Sequence, residues 1–271
     1  MTSRRLRVLD NPSPEAPQAS CDRCAGEPRD GEERRRSFLR MASHELRTPL
    51  NSIIGFSEII ACELYGPVSD PRYREHAEIV RDSGLRLLKL VNQMMEIARL
   101  ESGAAEVRLV AEPARPIVEE AVATFAADAA ARGVLLRVEA EPGLPAAMTD
   151  QRTLKSALSH LLQNALTYAP DGSEVVVALS TRAGRLCIAV RDQGPGVAPA
   201  ELPRLMRPFE QGEAPLTRRA EGAGLGLPIV RLLCRAMEGS LRLRSVPGEG
   251  FTATIRLRTA ALAPVRQSPA A

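Results

Sequence analysis

The chain has no tryptophan, and aromatic residues make up only 3% of its 271 positions. It therefore offers little on which nucleobases could stack in series. Nor is one charge in large excess: 36 basic residues stand against 33 acidic ones, a net charge of +3. That balance gives no electrostatic ground for a nucleic-acid partner. No apolar run approaches the ~20 residues needed to cross a bilayer. The opening stretch MTSRRLRVLDNPSPEAPQAS lacks the apolar segment of a secretory signal. Both absences lead to the expectation of a cytoplasmic protein with no membrane insertion. The five cysteines are odd in number and scattered, so they do not form a disulfide framework. Cys21 and Cys24 have the spacing of half a zinc site, but no second Cys/His pair follows at a suitable distance, and four ligands are normally required.

Residues 1–31 are rich in Pro, Ser, Glu, Arg and Asp and poor in large apolar side chains. Such a composition cannot bury enough surface to offset chain entropy, and disorder is expected there. It is also too short to be a sensor domain. From Arg34 the pattern changes. Leu39, Leu46, Ile53 and Ile60 recur every seven residues, with Ala42, Pro49 and Phe56 between them. This is a heptad seam, and it predicts a helix that packs on another helix. The seam puts His44 on the opposite, water-facing side, and Thr48, four residues on, shares that face. Gly66 and two prolines end the helix at LYGPVSDP. A second heptad helix follows from about Arg72 to Glu101, through Ala77, Val80, Gly84, Leu87, Val91, Met94 and Ala98. One hairpin cannot bury both stripes, so a homodimeric four-helix bundle is expected from residues 32–103.

Residues 104–259 read as a second domain, and 260–271 as a loose Ala/Pro-rich tail. PIVEEAVATFAADAAARG reads as one helix, VLLRVEAE as a strand, and DQRTLKSALSHLLQNALTYA as a helix capped by Asp150. Two hairpins follow, the first turning near Ala183 and Gly184. Helices with mostly hairpin-linked strands indicate an α+β sandwich. Chemistry-bearing residues are spread over about sixty positions. Asn164 and Tyr168 lie one turn apart on a helix. RDQGPGV brings Asp192, Gly194 and Gly196, RPFEQGE brings Phe209, and EGAGLGLPIV places Gly222, Gly224 and Gly226 before a helix. Glycines let backbone approach a phosphate, and a helix N-terminus supplies free N–H donors. The neutral oxygen of Asn164 suits Mg²⁺. The Asp192 carboxylate can accept a hydrogen bond from an exocyclic amine such as that of adenine. Each motif alone is weak; their ordered set is not.

That set resembles the ATP-binding domain of sensor histidine kinases, within the class that includes gyrase, mismatch-repair and heat-shock chaperone ATPases. SHELRTPL, Ser43 to Leu50, resembles the kinases' histidine box, and the ELYGP turn resembles alphaproteobacterial members. The resemblance implies ATP and Mg²⁺ as cofactors, His44 as phosphoacceptor, Glu45 as general base, and Thr48 as the residue that positions water for a phosphatase reaction. It implies that Asn164 binds Mg²⁺, that Asp192 reads adenine beside Gly194 and Gly196, and that Tyr168 stacks near the base. Gly222, Gly224 and Gly226 would line a mobile lid that Phe209 docks, and a response regulator would be the partner. Two positions depart from the family. His160 stands where an Asn is frequent, either as a satisfied helix residue or in place of a phosphate contact; Thr167 stands where a Lys is frequent. These departures keep open a degenerate kinase that acts by docking or dephosphorylation. A non-kinase ATPase of the same fold would not need an exposed histidine on a heptad helix.

Overall fold

A computed structural model describes residues 50–210 and 223–260. The first helix, α1, is seen from its described part, residues 50–61. Helix α2 runs Pro71–Glu101; the Asp70 carboxylate accepts from Arg72 N–H at its start, and Pro71 occupies the first turn, a position where the missing proline N–H costs nothing. The two helices approach closely at Gly84. A Cβ there would lie 2.8 Å from Ile54 Cγ1, so a larger residue would push the hairpin apart. The heptad stripe beyond this contact stays open: Ile53, Phe56, Ile60, Val80, Leu87 and Met94 are all exposed.

The second domain is a two-layer sandwich. Strands β2 (Leu135–Ala140), β4 (Glu174–Arg182), β5 (Arg185–Asp192), β7 (Gly250–Arg258) and β6 (Ser240–Val246) form one sheet in the order β2-β4-β5-β7-β6. Helices α3 (Ala114–Thr124), α5 (Gln151–Tyr168) and α7 (Gly226–Ala236) cover one face. Inward positions of β5, Leu186, Ile188 and Val190, meet Ile255 and Leu257 of β7 and the leucines of α5 in a single core. The other face is open, as expected for a sheet of mainly antiparallel strands.

Four features were not foreseen. The helix expected from Pro116 to Gly133 divides at Phe125 into α3 and α4 (Ala126–Ala131), where Phe125 leaves helical geometry and turns its ring into the core. Strands β2 and β4 pair in parallel, which a hairpin cannot achieve; α5 makes the crossover. A small antiparallel pair, β1 (Val110–Glu112) with β3 (Ala147–Thr149), closes one end, and the short α6 (Leu202–Leu205) follows β5. The expected hairpin turn stands: Ala183 and Gly184 both have positive φ, the geometry that matches strand twist in a two-residue loop.

Leu158 is fully buried at the centre of α5. Leu158→Ala should lower stability by about 3 kcal/mol. Urea unfolding should show a lower midpoint at unchanged slope.

Candidate functional site

Asp150 starts α5 by accepting from Thr153 N–H at 2.8 Å. Leu154, Leu158, Leu161, Leu162 and Ala165 then bury one face of the helix. The opposite stripe, Ser156, His160, Asn164 and Tyr168, recurs every four residues and runs beside a cleft of about 1250 Å³, lined by the last three of them. Asp192, Gly194, Gly196, Gly224 and Gly226 line the same cleft. Asn164, Tyr168, Asp192 and these four glycines are thus brought together from α5, the loop after β5 and the start of α7, although they are dispersed in sequence.

Asp192 ends β5 with its side chain on the inward face, only 9% exposed. Burial pushes its carboxyl up to about 6, against the opposing pull of Gly194 and Phe251 N–H donors. The Gly194 N–H reaches Asp192 Oδ1 at 2.9 Å. A buried carboxylate with few donors has capacity to accept another hydrogen bond. Gly196 has φ +63°, and a Cβ there would run into the Val246 carbonyl; no other residue fits this turn without moving β6. At the far side Gly226 starts α7, and a Cβ would lie 3.3 Å from both Oδ1 and Nδ2 of Asn164. Glycine here keeps the Asn164 amide clear beside a helix N-terminus, the place where an oxyanion finds N–H donors. The amide oxygen, the adjacent N–H groups and the open space fit a hydrated Mg²⁺ and its phosphates.

Other expected residues stand differently. Phe209 has φ +65° and is 60% exposed; it is not among the residues lining the cleft, and its backbone carbon lies near Gly224. It borders residues 211–222, which include Gly222 and lie outside the described residues, as do His44, Glu45, Thr48, Cys21 and Cys24. Thr167 lines the cleft but donates its hydroxyl to the Gln163 carbonyl at 2.7 Å, a bond helical threonines make readily. His160 faces Glu96 of α2, Nε2 to Oε2, at 3.4 Å.

The sequence reading missed the contributions of distant segments. Arg132, after α4, donates to the Ala169 carbonyl at 2.7 Å and pairs with Asp171 at 3.1 Å, bracing the loop below Tyr168. Lys89, Leu90 and Gln93 of α2 also line the cleft. The heptads of α2 announced a helix but not which domain its other face would touch. No group of three or more His, Cys, Asp or Glu side chains forms a metal cluster among the described residues, and Asn164 has the neutral chemistry that phosphate-bound Mg²⁺ accepts without one.

Residues 149–261 match the model of the histidine kinase-, DNA gyrase B- and HSP90-like ATPases, and residues 34–103 match the His kinase A phospho-acceptor domain. The chain carries a sensor histidine kinase core. This core is 39% identical over 223 residues to histidine protein kinase DivJ of Caulobacter vibrioides, covering 82% of this chain and 37% of that protein. It is 35% identical to the cell-division control histidine kinase PdhS of Brucella abortus, covering 80% of this chain and 22% of that protein. The chain thus spans well under half the length of these curated relatives. The crystal structure of full-length ShkA in complex with AMPPNP superposes with a TM-score of 0.69 at 30% identity, over 85% of this chain and 47% of that one. Among the described residues, no helix of the kinase core is long and apolar enough to cross a membrane.

The raised value of Asp192 sets opposite pH trends for folding and binding. Its folded value lies above that of an ordinary Asp, so the native state holds the proton more tightly than the unfolded chain does. That contribution to stability is present in full below about pH 4 and is lost as pH rises through about 6. The ionised carboxylate is the stronger acceptor for an amine, so if Asp192 meets the adenine amine, AMPPNP should bind up to about tenfold more weakly at pH 5 than at pH 7. Titration calorimetry of the wild type against Asp192→Asn checks this. The variant should bind weakly throughout and lack this part of the pH dependence.

Proposed function

We propose that this kinase core phosphorylates itself on His44 from Mg²⁺-bound ATP and passes the phosphoryl group to an aspartate of a response regulator. The observation that carries the reading is the meeting of Asp192 and Asn164 with glycine turns in one cleft, in a chain that also has the histidine box Ser43 to Leu50. ATP supplies the transferable γ-phosphoryl, and Mg²⁺ offsets phosphate charge. Asp192 accepts from the adenine amine, and Tyr168 flanks the base. Asn164 holds the metal, and backbone N–H groups around Gly224 and Gly226 hold phosphate oxygens. By resemblance to the family, Gly222 would line a lid over them and Phe209 would dock it.

An unperturbed imidazole, near 6.5, is largely neutral and nucleophilic at pH 7, which suits the acceptor role proposed for His44. Its ring nitrogen forms the new N–P bond while the bond from phosphorus to the ADP oxygen breaks. Glu45 accepts the ring proton. Positioning supplies much of the rate in such transfers. The water-facing position that the heptad spacing predicts for His44 would let the ATPase domain and then the receiver reach the same atom. Thr48, one turn on, holds a water in line with the regulator's phospho-aspartate in the reverse, phosphatase reaction.

A homodimer through the hairpin follows from the open stripe of Ile53, Phe56, Ile60, Val80, Leu87 and Met94, an apolar surface that a second copy would cover. The cytoplasm is the compartment where ATP and a receiver would meet these sites.

Incubation with γ-labelled ATP and Mg²⁺ tests the acceptor. Label should be lost in acid and survive base, and His44→Gln should abolish it while AMPPNP still binds. Undiminished labelling of that variant would place the acceptor elsewhere.

Thr48→Ala should leave autophosphorylation unchanged and slow loss of label from phosphorylated regulator about tenfold or more, within the range of lost positioning effects. Equal rates of loss would reduce Thr48 to a helix-packing role.

A further inference from the structure

The stripe on α5 serves two neighbours. Its C-terminal half, Asn164 and Tyr168, faces the nucleotide cleft, while its N-terminal half faces the hairpin. There Ser156 Oγ donates to Glu96 Oε1 at 3.1 Å, and His160 Nε2–H donates to Glu96 Oε2 at 3.4 Å. Glu96 belongs to α2, so these two bonds join the phosphoacceptor hairpin to the ATPase domain. A second, smaller cavity of about 340 Å³ lies along the seam, lined by Lys89, Gln93, Glu96 and His160. His160 lines both cavities and is the one member of the bridge that also touches the cleft.

Its neighbour along the stripe is Asn164. Four residues of helix rise about 6 Å, so phosphates held beside Asn164 and Gly226 come within reach of the His160 ring. The same ring cannot direct its Nε2–H at Glu96 and at a phosphate together. Glu96 meanwhile stays anionic: burial works against its charge, but the His160 bond and charge and the Ser156 hydroxyl outweigh it and hold the carboxyl below its ordinary range. A polyphosphate arriving near Asn164 would therefore attract His160 and repel Glu96, and both effects oppose the bridge.

We propose that Glu96 and His160 form a nucleotide-sensitive bridge that fastens the ATPase domain to the phosphoacceptor hairpin and is released when the triphosphate takes the histidine. Glu96 is a positioning residue in this scheme, since it acts on the cleft through His160. The scheme rests on the reading of the cleft as a nucleotide site. Because linkage is reciprocal, whatever nucleotide does to the bridge, the bridge does to nucleotide affinity by the same factor.

The test uses the full chain, Mg²⁺ and AMPPNP. Glu96→Gln keeps the shape and removes the charge; it should tighten AMPPNP about fivefold, the low end for coupled sites. In a His160→Ala background the same change should tighten binding clearly less, by the lost charge repulsion alone. A tightening equally large in both backgrounds would overturn the bridge, as would no tightening at all. Limited trypsin digestion reads the docking directly, since Arg99 and Arg108 flank the segment between the domains. Wild-type cleavage there should accelerate several-fold on adding Mg²⁺ and AMPPNP, and the Glu96→Gln protein should be cut at the faster rate without them. A variant cut no faster than wild type, in the absence of nucleotide, would overturn the bridge whatever the cleft binds. A wild-type chain that binds no AMPPNP, with the variant still cut faster, would instead overturn the nucleotide reading.

Discussion

Helix α5 must bury one face against the sheet and leave the opposite face in register with two partners. Leu154, Leu158, Leu161, Leu162 and Ala165 satisfy the first demand. Their spacing of three and four residues leaves the stripe from Ser156 to Tyr168 on the other side, so rotation of the helix is not free. Turning α5 to improve one leucine would carry Asn164 away from Gly226. The N-cap bond from Asp150 fixes where the helix begins, and Pro170 follows its end. Start, rotation and stop together set the position of Asn164 to within a small distance, which a site for phosphate requires.

The second constraint is electrostatic. Burying Asp192 is unfavourable for its charge, and the structure offsets this only in part, through N–H donors of Gly194 and Phe251. Full compensation, with several donors, would lower the carboxyl value and consume its accepting capacity. Partial compensation leaves a group that still seeks a donor. The surrounding glycines allow backbone to approach without filling the space that donor would enter: at Gly194 an added Cβ would sit 2.8 Å from Asp192 Oδ1.

Local pattern carried much of this into the sequence. Heptads revealed α2, alternation revealed β4 and β5, and the Asp150 cap and the Ala183–Gly184 turn were legible because each depends on residues within a few positions. The seven cleft residues Asn164, Tyr168, Asp192, Gly194, Gly196, Gly224 and Gly226 were found because resemblance to a family orders them along the chain. The parallel β2–β4 pair was not legible, since a crossover through α5 depends on how the whole sandwich closes. The break at Phe125 was hidden for a similar reason: alanine-rich sequence on both sides favours helix, and only the need to bury one ring against the core ends it. Phe209 was found by motif as the residue that docks a lid; its ring is 60% exposed next to residues 211–222, which lie outside the described residues.

His160 was legible as a departure and illegible in its meaning. From α5 alone it could be a satisfied helix residue or a phosphate ligand. The answer needed Glu96, sixty-four residues earlier and on another domain. That contact draws α2 into both functions of the chain. One side of α2 carries the open stripe of Val80, Leu87 and Met94, and another brings Lys89, Leu90 and Gln93 to the cleft. Leu90, Ile97 and Leu100 also pack on the ATPase core. Among the described residues, partly buried apolar contacts and the two Glu96 bonds join the domains, an interface smaller in kind than the fully buried core beneath it. The proposed transfer needs a histidine that meets the γ-phosphoryl group and later a receiver, and such a residue cannot belong to a domain welded to its ATP site. An interface of this strength holds the domains together while leaving their separation within the range that ligand binding can supply.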